Sequence, residues 1–306
     1  MKASPFDYIR ADDLAHALDL LHQHGGDAKL LAGGQSLVPM MAMRLARPAL
    51  LVDIHRLTQL QSIQIKPDVV TIGAGVRQRT LEDACAAPAS ALDASQPLLR
   101  KALRWVGHAQ TRNRGTMGGS VVHADPSAEL PLMALIVGGV MHLQSKSDQS
   151  KNSESAGGTR TVDAADFFLG PMFTAVGETE CLTAIDLPVW QAAVGERIAA
   201  VFDETAIRHG DFALASAACQ IQFAADGTVV RASLGLGGVG GSPLAFPDLA
   251  AQLVGQRITM ATADELANAA AAQSEPGGDM HGSSQYRRHL AAVLLSRALL
   301  SAGSAS

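Results

Sequence analysis

Residues 111–126 read TRNRGTMGGSVVHADP, with three glycines (Gly115, Gly118 and Gly119) between a basic cluster and an Asp-Pro pair. Glycine carries no Cβ, so a backbone built on it can turn tightly and approach a ligand closely. Thr116 and Ser120 flank the glycines with small hydroxyls that suit phosphate or ribityl oxygens. Asp125 and Pro126 read as the N-cap and first residue of a helix. A plain Gly-rich turn between a strand and a helix would have the same composition. The stretch alone leaves both readings open.

The surrounding chain narrows the class. Its 306 residues allow two domains and a large core. With 47% hydrophobic and 17% charged residues it is an ordinary globular protein. A formal charge of −5 gives no electrostatic footprint for nucleic acid or an anionic membrane. The amino terminus, MKASPFDYIRADD, lacks the apolar segment of a secretory signal, and the apolar run near 130–140 is broken by Pro131, Gly138 and Gly139. Cys85, Cys181 and Cys219 are dispersed and form no CxxC, so they are expected to be core thiols. A cytoplasmic protein without a membrane span is the expectation.

Taken in order, Asp12 and Asp13 open a helix carrying Leu14, Leu18 and Leu21, which ends at Gly25-Gly26. Residues 29–32 form a short strand running into Gly33-Gly34-Gln35-Ser36, with Ser36 placed to cap the next helix. A strand over 50–54 and a hairpin over 63–76 around Lys66-Pro67-Asp68 follow. Thr80 and Asp83 resemble a capping box, and a helix entered at Pro97 leads to the glycine stretch. Residues 145–160, SKSDQSKNSESAGGTR, read as an exposed loop. Strands over 180–188, 198–207, 214–223 and 229–236 precede helices near 247–254, 263–272 and 284–300. Asp226-Gly227 is a hairpin signal, and Thr262 with Glu265 reads as a second capping box. The expected division is a first domain over 1–176 and an α+β domain over 177–306.

Gly235-Leu236-Gly237-Gly238-Val239-Gly240 matches GxGxxG, but Gly241-Ser242-Pro243 follows where a helix is required, so it is rejected as a dinucleotide fingerprint. No Walker lysine loop, GxSxG elbow or HExxH helix is present. What remains is a pair of glycine cradles, residues 32–36 and 116–120, each coupling Gly-Gly to a serine. Two such loops can donate several backbone N–H groups to one diphosphate. Together they point to a large nucleotide held by a non-Rossmann fold.

Three stretches carry a family resemblance: LLAGGQSLVPMMAMRLARPALLVDI (30–54), RNRGTMGGSVVHADPSAELP (112–131) and RHGDFALASAA (208–218). FFLGPMFTAVGETECLTAIDLP (167–188) and SQYRRHLAAVLLSRAL (284–299) extend it. The chain resembles the FAD-binding medium subunit of molybdenum hydroxylases, the carbon monoxide dehydrogenase and xanthine dehydrogenase group, over nearly its whole length. The resemblance implies an α+β fold: a two-subdomain FAD domain of vanillyl-alcohol-oxidase (PCMH) type, then a smaller C-terminal α+β domain with an antiparallel sheet and helices.

The resemblance also implies which residues meet FAD. Leu30, Leu31, Ala32, Gly33, Gly34, Gln35, Ser36 and Leu37 form the first cradle. Thr111, Gly115, Thr116, Gly118, Gly119 and Ser120 form the second, followed by His123, Ala124 and Asp125. Val106 stands where the family has an apolar side chain near the cofactor, Glu129 where relatives carry an acid, and Leu182 close to the isoalloxazine. After Phe202, where the xanthine dehydrogenase branch has a lysine, this chain has Asp203-Glu204, which counts against nicotinamide-dinucleotide reduction.

The resulting expectation is an oxidoreductase subunit with FAD as its cofactor, no catalytic residue for substrate and no metal of its own. A large molybdopterin-binding partner oxidises the substrate, a small partner with two iron–sulfur clusters of the two-iron two-sulfur type relays electrons, and the flavin passes them to an external acceptor. A self-sufficient flavin oxidase and a non-enzymatic assembly subunit are the alternatives.

Overall fold

A computed structural model describes residues 2–146 and 158–304. The chain opens with a parallel sheet of β1 (Asp7–Arg10), β3 (Leu50–Asp53) and β2 (Ala28–Leu31), in that spatial order. Helix α1 (Leu14–His24) connects β1 to β2, and α2 (Leu37–Ala42) lies between β2 and β3. Asp13 caps α1 by accepting from the His16 N–H at 2.8 Å. Leu18 and Leu21 of α1 share a buried cluster with Leu50 and Val52. Every residue of β3 is buried, as expected for a central parallel strand.

The second sheet is antiparallel and runs β4 (Ile63–Ile65), β5 (Val69–Gly73), β10 (Glu180–Pro188), β6 (Val140–Ser145), β7 (Thr159–Asp163). Around it are α3 (Gln78–Ala86), α4 (Ala91–Ser95), α5 (Pro97–Leu103), α6 (Ala109–Arg112), α7 (Met117–His123), α8 (Glu129–Val137) and α9 (Ala164–Phe167), with a small hairpin of β8 (Phe168–Gly170) and β9 (Phe173–Thr174). The division expected at 176/177 would cut this sheet, because β10 is its middle strand. The pairing partners of β10 lie far upstream in sequence, so its membership has no local signature. Residues 159 and 160, expected in the serine-rich loop, begin β7, while 147–157 of that loop fall outside the described residues.

The remaining strands, β11 (Arg197–Thr205), β12 (Ala215–Phe223), β13 (Val229–Gly237) and β14 (Leu244–Ala245), form an antiparallel sheet in chain order. Gly227 turns β12 into β13 at a φ of 85°. Helices α10 (Pro247–Leu253), α11 (Met260–Ala272) and α12 (Ser284–Ser304) complete this unit, with α12 against β11 and β12. Helix α8 is apolar nearly all round, and it is buried between α5 on one side and β12 and β13 on the other. It is the seam on which the two halves dock.

Three expected helix starts move. Helix α8 begins at Glu129 rather than Pro126, because Asp125 Oδ1 accepts from the Ser127 N–H at 2.9 Å and makes a turn of its own. Helix α3 begins after Arg77, which bridges to Thr116, leaving Thr80 inside the helix. Thr259 caps α11, accepting from the Thr262 N–H at 3.2 Å, so Thr262 is also an interior residue.

The GxGxxG stretch serves packing. Gly235 and Gly237 lie in β13, and the next element is strand β14, not a helix. A Cβ on Gly235 would stand closer than 3.0 Å to Ile136 Cγ2 and Leu132 Cδ1 of α8. Gly235→Ala therefore wedges the seam and should lower the unfolding free energy by about 1–3 kcal/mol. Urea denaturation measures this, and parental stability would show that the seam yields without cost.

Candidate functional site

The two glycine loops meet backbone to backbone. A Cβ on Gly33 would come closer than 3.0 Å to Arg114 O and Gly115 Cα, so only glycine lets the first loop lie on the second. Gly34 adopts a φ of +73°, a left-handed conformation that turns the chain from β2 into α2. Among the described residues, the N–H groups of Gly33, Gly34, Gln35 and Ser36 meet no acceptor. The Ser36 side chain makes no cap bond to α2 either, which leaves its hydroxyl available. This loop is a row of free donors.

The second loop differs from the sequence expectation. Its N–H groups are largely spent: Met117 on Val76 O at 2.9 Å, Gly118 on Ala74 O at 2.9 Å, and Gly119 on Thr116 Oγ1 at 3.0 Å. A Cβ on Gly118 would collide with Ala74, so that glycine lets α7 hook over the end of β5. Gly115 likewise packs on Gln78 Oε1 and Thr111 O. These glycines bring backbone to backbone, and the loop forms a wall rather than a second set of donors.

Between the loops lies a cavity of about 1150 Å³, slightly larger than the ~300–1,000 Å³ usual for small-molecule sites. Residues 30–37 line it together with Val106, Thr111, Gly115, Thr116, Gly118, Gly119, Ser120, His123, Asp125, Glu129 and Leu182. The exception among the expected residues is Ala124. It is buried in a left-handed conformation at the end of α7, where it closes the helix rather than facing the cavity.

Other lining residues were not singled out in the sequence. Gln78 stands behind the second loop, its N–H bonded to Gly115 O at 2.9 Å. Residues 207, 208 and 210–214 bring the C-terminal half to the cavity; all but Ile207 lie in RHGDFALASAA, which carried the resemblance without yielding a site residue. Arg287 of α12 donates to Leu214 O at 3.0 Å and to Asp279 Oδ2 at 2.7 Å, pinning that wall. No local motif marks it. Arg112, expected as part of a basic cluster, donates to Glu82 at 3.0 Å and to the carbonyls of Val106 and Gly107, holding the turn at Gly107. The three cysteines are all buried, and desolvation pushes their thiols up to about 12. They are poor nucleophiles.

Two carboxyls near the cavity are perturbed. Glu129, the first residue of α8, lies in the cavity wall, and burial, with Asp125 nearby, pushes it up to about 7. Glu204 on β11 is only 6% exposed, and neither of its carboxyl oxygens has a hydrogen-bond partner. Burial first, then the Glu129 and Asp203 charges, push it up to about 9.

Residues 4–190 match the family described as the FAD binding domain in molybdopterin dehydrogenase, and residues 200–302 match the CO dehydrogenase flavoprotein C-terminal domain. The chain is 33% identical over 302 residues to the 6-hydroxypseudooxynicotine dehydrogenase complex subunit alpha of Paenarthrobacter nicotinovorans, covering 99% of this chain and 96% of that protein. It is 33% identical to the carbon monoxide dehydrogenase medium chain of Hydrogenophaga pseudoflava, covering 96% of each. Its fold superposes on a chain of reconstituted CO dehydrogenase from Oligotropha carboxidovorans with a TM-score of 0.89, at 33% identity and over 100% of both chains.

The Glu204 environment has a pH signature. Below about 4.5, its ordinary value, folded and unfolded chains both hold this proton; between there and about 9 only the folded chain does. Binding more protons in the folded state means that stability falls as pH rises through this window. Glu204→Gln removes the effect, so its melting temperature should gain on the parent progressively as pH rises from about 4.5 to about 9. A pH-independent difference, read by thermal melts across that range, would show that Glu204 ionises freely.

Proposed function

This chain belongs to the FAD-binding medium-subunit family of the molybdenum hydroxylases, and we propose that it is the flavin-carrying, electron-exit subunit of a multi-subunit molybdenum-dependent oxidoreductase. The observation that carries the reading is the large cavity formed where two glycine loops cross, with free N–H groups along one side. Those donors and the Ser36 and Ser120 hydroxyls suit a dinucleotide diphosphate, which needs hydrogen bonds more than side-chain charge. Leu31, Val106 and Leu182 supply apolar wall suited to a flat ring system. The residues present fit FAD.

When bound, FAD supplies the redox chemistry, taking electrons from an iron–sulfur partner and giving them to an external acceptor. The chain's own residues bind and orient. Residues 33–36 hold the diphosphate, Thr116 and Ser120 flank it, and Leu182 with Val106 borders the ring. Loop 207–214 and Arg287 close the cavity from the C-terminal half and limit water on that side. Substrate oxidation belongs to a large molybdopterin-binding partner, and a small partner with two iron–sulfur clusters supplies the electrons. The chain divides between β10 and β11, a boundary supported by the central place of β10 in the second sheet. No helix among the described residues is long and apolar enough to cross a membrane.

Purified protein should carry, or take up, FAD in about one-to-one ratio. Gly34→Val places a β-branched residue at a φ of +73°, and Gly119→Val places a Cβ closer than 3.0 Å to the Thr116 Oγ1 that caps α7. Both variants should lose retained flavin, measured as the flavin absorbance that stays with the protein after desalting. Normal flavin content in Gly34→Val would remove the first loop from the site; a parent that stays colourless with added FAD would overturn the function itself.

A further inference from the structure

The carboxy-terminal sheet ends on an uncovered edge. β11 pairs with β12 on one side only, and at nine residues it is the longest edge strand among the described residues, where the others have two to five. Its register on β12 runs from Arg197 to Thr205 without a bulge. A long, regular edge offers a row of backbone donors and acceptors to another strand, and proteins usually blunt such edges.

Alternation decides which groups point outward. In an antiparallel strand the N–H and C=O of one residue face one side, and those of the next residue face the other. Thr205 O accepts from the Leu214 N–H at 2.7 Å, on the β12 side, and Phe202 O accepts from Trp105 Nε1 at 3.2 Å, on the free side. Residues 198, 200, 202 and 204 therefore present their backbone groups outward. The downstream end is blunted, because Trp105 occupies Phe202 O and the Glu204 N–H donates to Asp203 Oδ1 at 3.0 Å. Upstream, the N–H and C=O of Ile198 and Ala200 and the N–H of Phe202 meet no partner among the described residues. Residues 198–202 span about 13 Å, enough for a short added strand.

This bare stretch floors a groove of about 550 Å³, lined by residues 197–202, by Pro97, Lys101 and Arg104 on the α5 side, and by Ser301 and Ala302 of α12. Helices cover both faces of β11 and leave its edge open: α5 lies on the face of Ala200 and Phe202, and α12 on that of Ala199 and Val201. Lys101 and Arg104 stand three apart at the end of α5, so they share one side of it. Both are exposed, and among the described residues neither forms a salt bridge, whereas Arg100 between them pairs with Asp93 at 3.1 Å. Arg197, at the head of β11, donates to Ala302 O and Gly303 O, both at 3.1 Å, which holds its charge at that end of the groove. On a chain of net charge −5, three cations along one groove make a local basic strip.

We propose that this edge is the docking site for an extended, acidic segment of a partner subunit, which adds a strand to β11 and sets its carboxylates against Lys101 and Arg104. The proposal rests on the reading of this chain as one subunit of a larger assembly. Ile198 and Ala200 supply backbone hydrogen bonds that are indifferent to sequence, and Lys101 and Arg104 supply the selection for acids. A second copy of this chain suits the edge poorly. Antiparallel pairing of two β11 edges about a two-fold axis would bring Lys101 and Arg104 of both copies to the same side of the joint, like charge against like. A segment carrying carboxylates has no such conflict.

The test compares this chain alone with the complex purified through a tag on it, by hydrogen–deuterium exchange read residue by residue. In the chain alone, the amides of Ile198, Ala200 and Phe202 should exchange fast and those of Ala199 and Val201 slowly; in the complex the first three should slow by about tenfold or more. Two variants address the same edge. Ala200→Pro removes an outward N–H without taking a hydrogen bond from the β12 ladder, and Lys101→Glu with Arg104→Glu reverses the strip. Each should weaken assembly by about tenfold at unchanged flavin content, the charge reversal more so at low salt. If Ala200→Pro fails to fold, the charge reversal decides. Equal exchange at 198, 200 and 202 in chain and complex, or parental assembly of the charge-reversed variant, would overturn the docking site while flavin binding and assembly stand. Slow exchange in the chain alone at doubled mass would make the occupant a second copy and overturn the partner segment. A parent that takes up no FAD and assembles with nothing would overturn the function, and the docking site with it.

Discussion

The contact between Gly33 and the backbone of Arg114–Gly115 is the constraint on which the site depends. Two loops from different subdomains can approach this closely only if neither carries a side chain at the point of crossing. The first loop leaves the parallel sheet at β2, and the second reaches the antiparallel sheet through Gly118 packed on Ala74. The crossing therefore fixes one subdomain against the other and sets the width of the cavity between them. It also divides the labour: the first loop keeps its N–H groups free, while the second spends its own on β5 and on its helix cap.

A second constraint is the apolar helix α8. It is too hydrophobic to face water on any side, so it draws the C-terminal sheet onto the first half through Gly235 and Gly237. Docking there has two consequences. It swings loop 207–214 over the cavity, where Trp105 and His209 also meet with ring centroids 5.7 Å apart. It also traps Glu204 and Ser216 beneath the start of α8, where burial without partners raises proton affinity.

Much of this architecture was legible from local pattern. The strands, the Asp226-Gly227 hairpin, the apolar periodicity of α1 and the rejection of Gly235–Gly240 as a nucleotide loop all follow from spacing and turn chemistry that act over a few residues. Helix starts were less secure, because Thr259 and Asp125 compete with nearby residues for the same backbone donors and only the final geometry selects one. The glycines at 33, 115, 118 and 119 do stand where a Cβ would collide, though with other protein atoms, and Gly34 is required by its left-handed φ. Whether the approaching group is a ligand or another stretch of backbone is not encoded in the glycine itself.

The amino-acid order thus carried the element types, the two glycine loops and the absence of a Rossmann motif, since each rests on short-range backbone preference. Folding in three dimensions assigned the rest: the place of β10 at the centre of the second sheet, the spent donors of the second loop, the turning of Ala124 away from the cavity, and the burial of Glu204 beside Ser216. Each of these depends on which distant segment lies alongside, and on the loss of water there. A residue's own neighbours in sequence do not specify either.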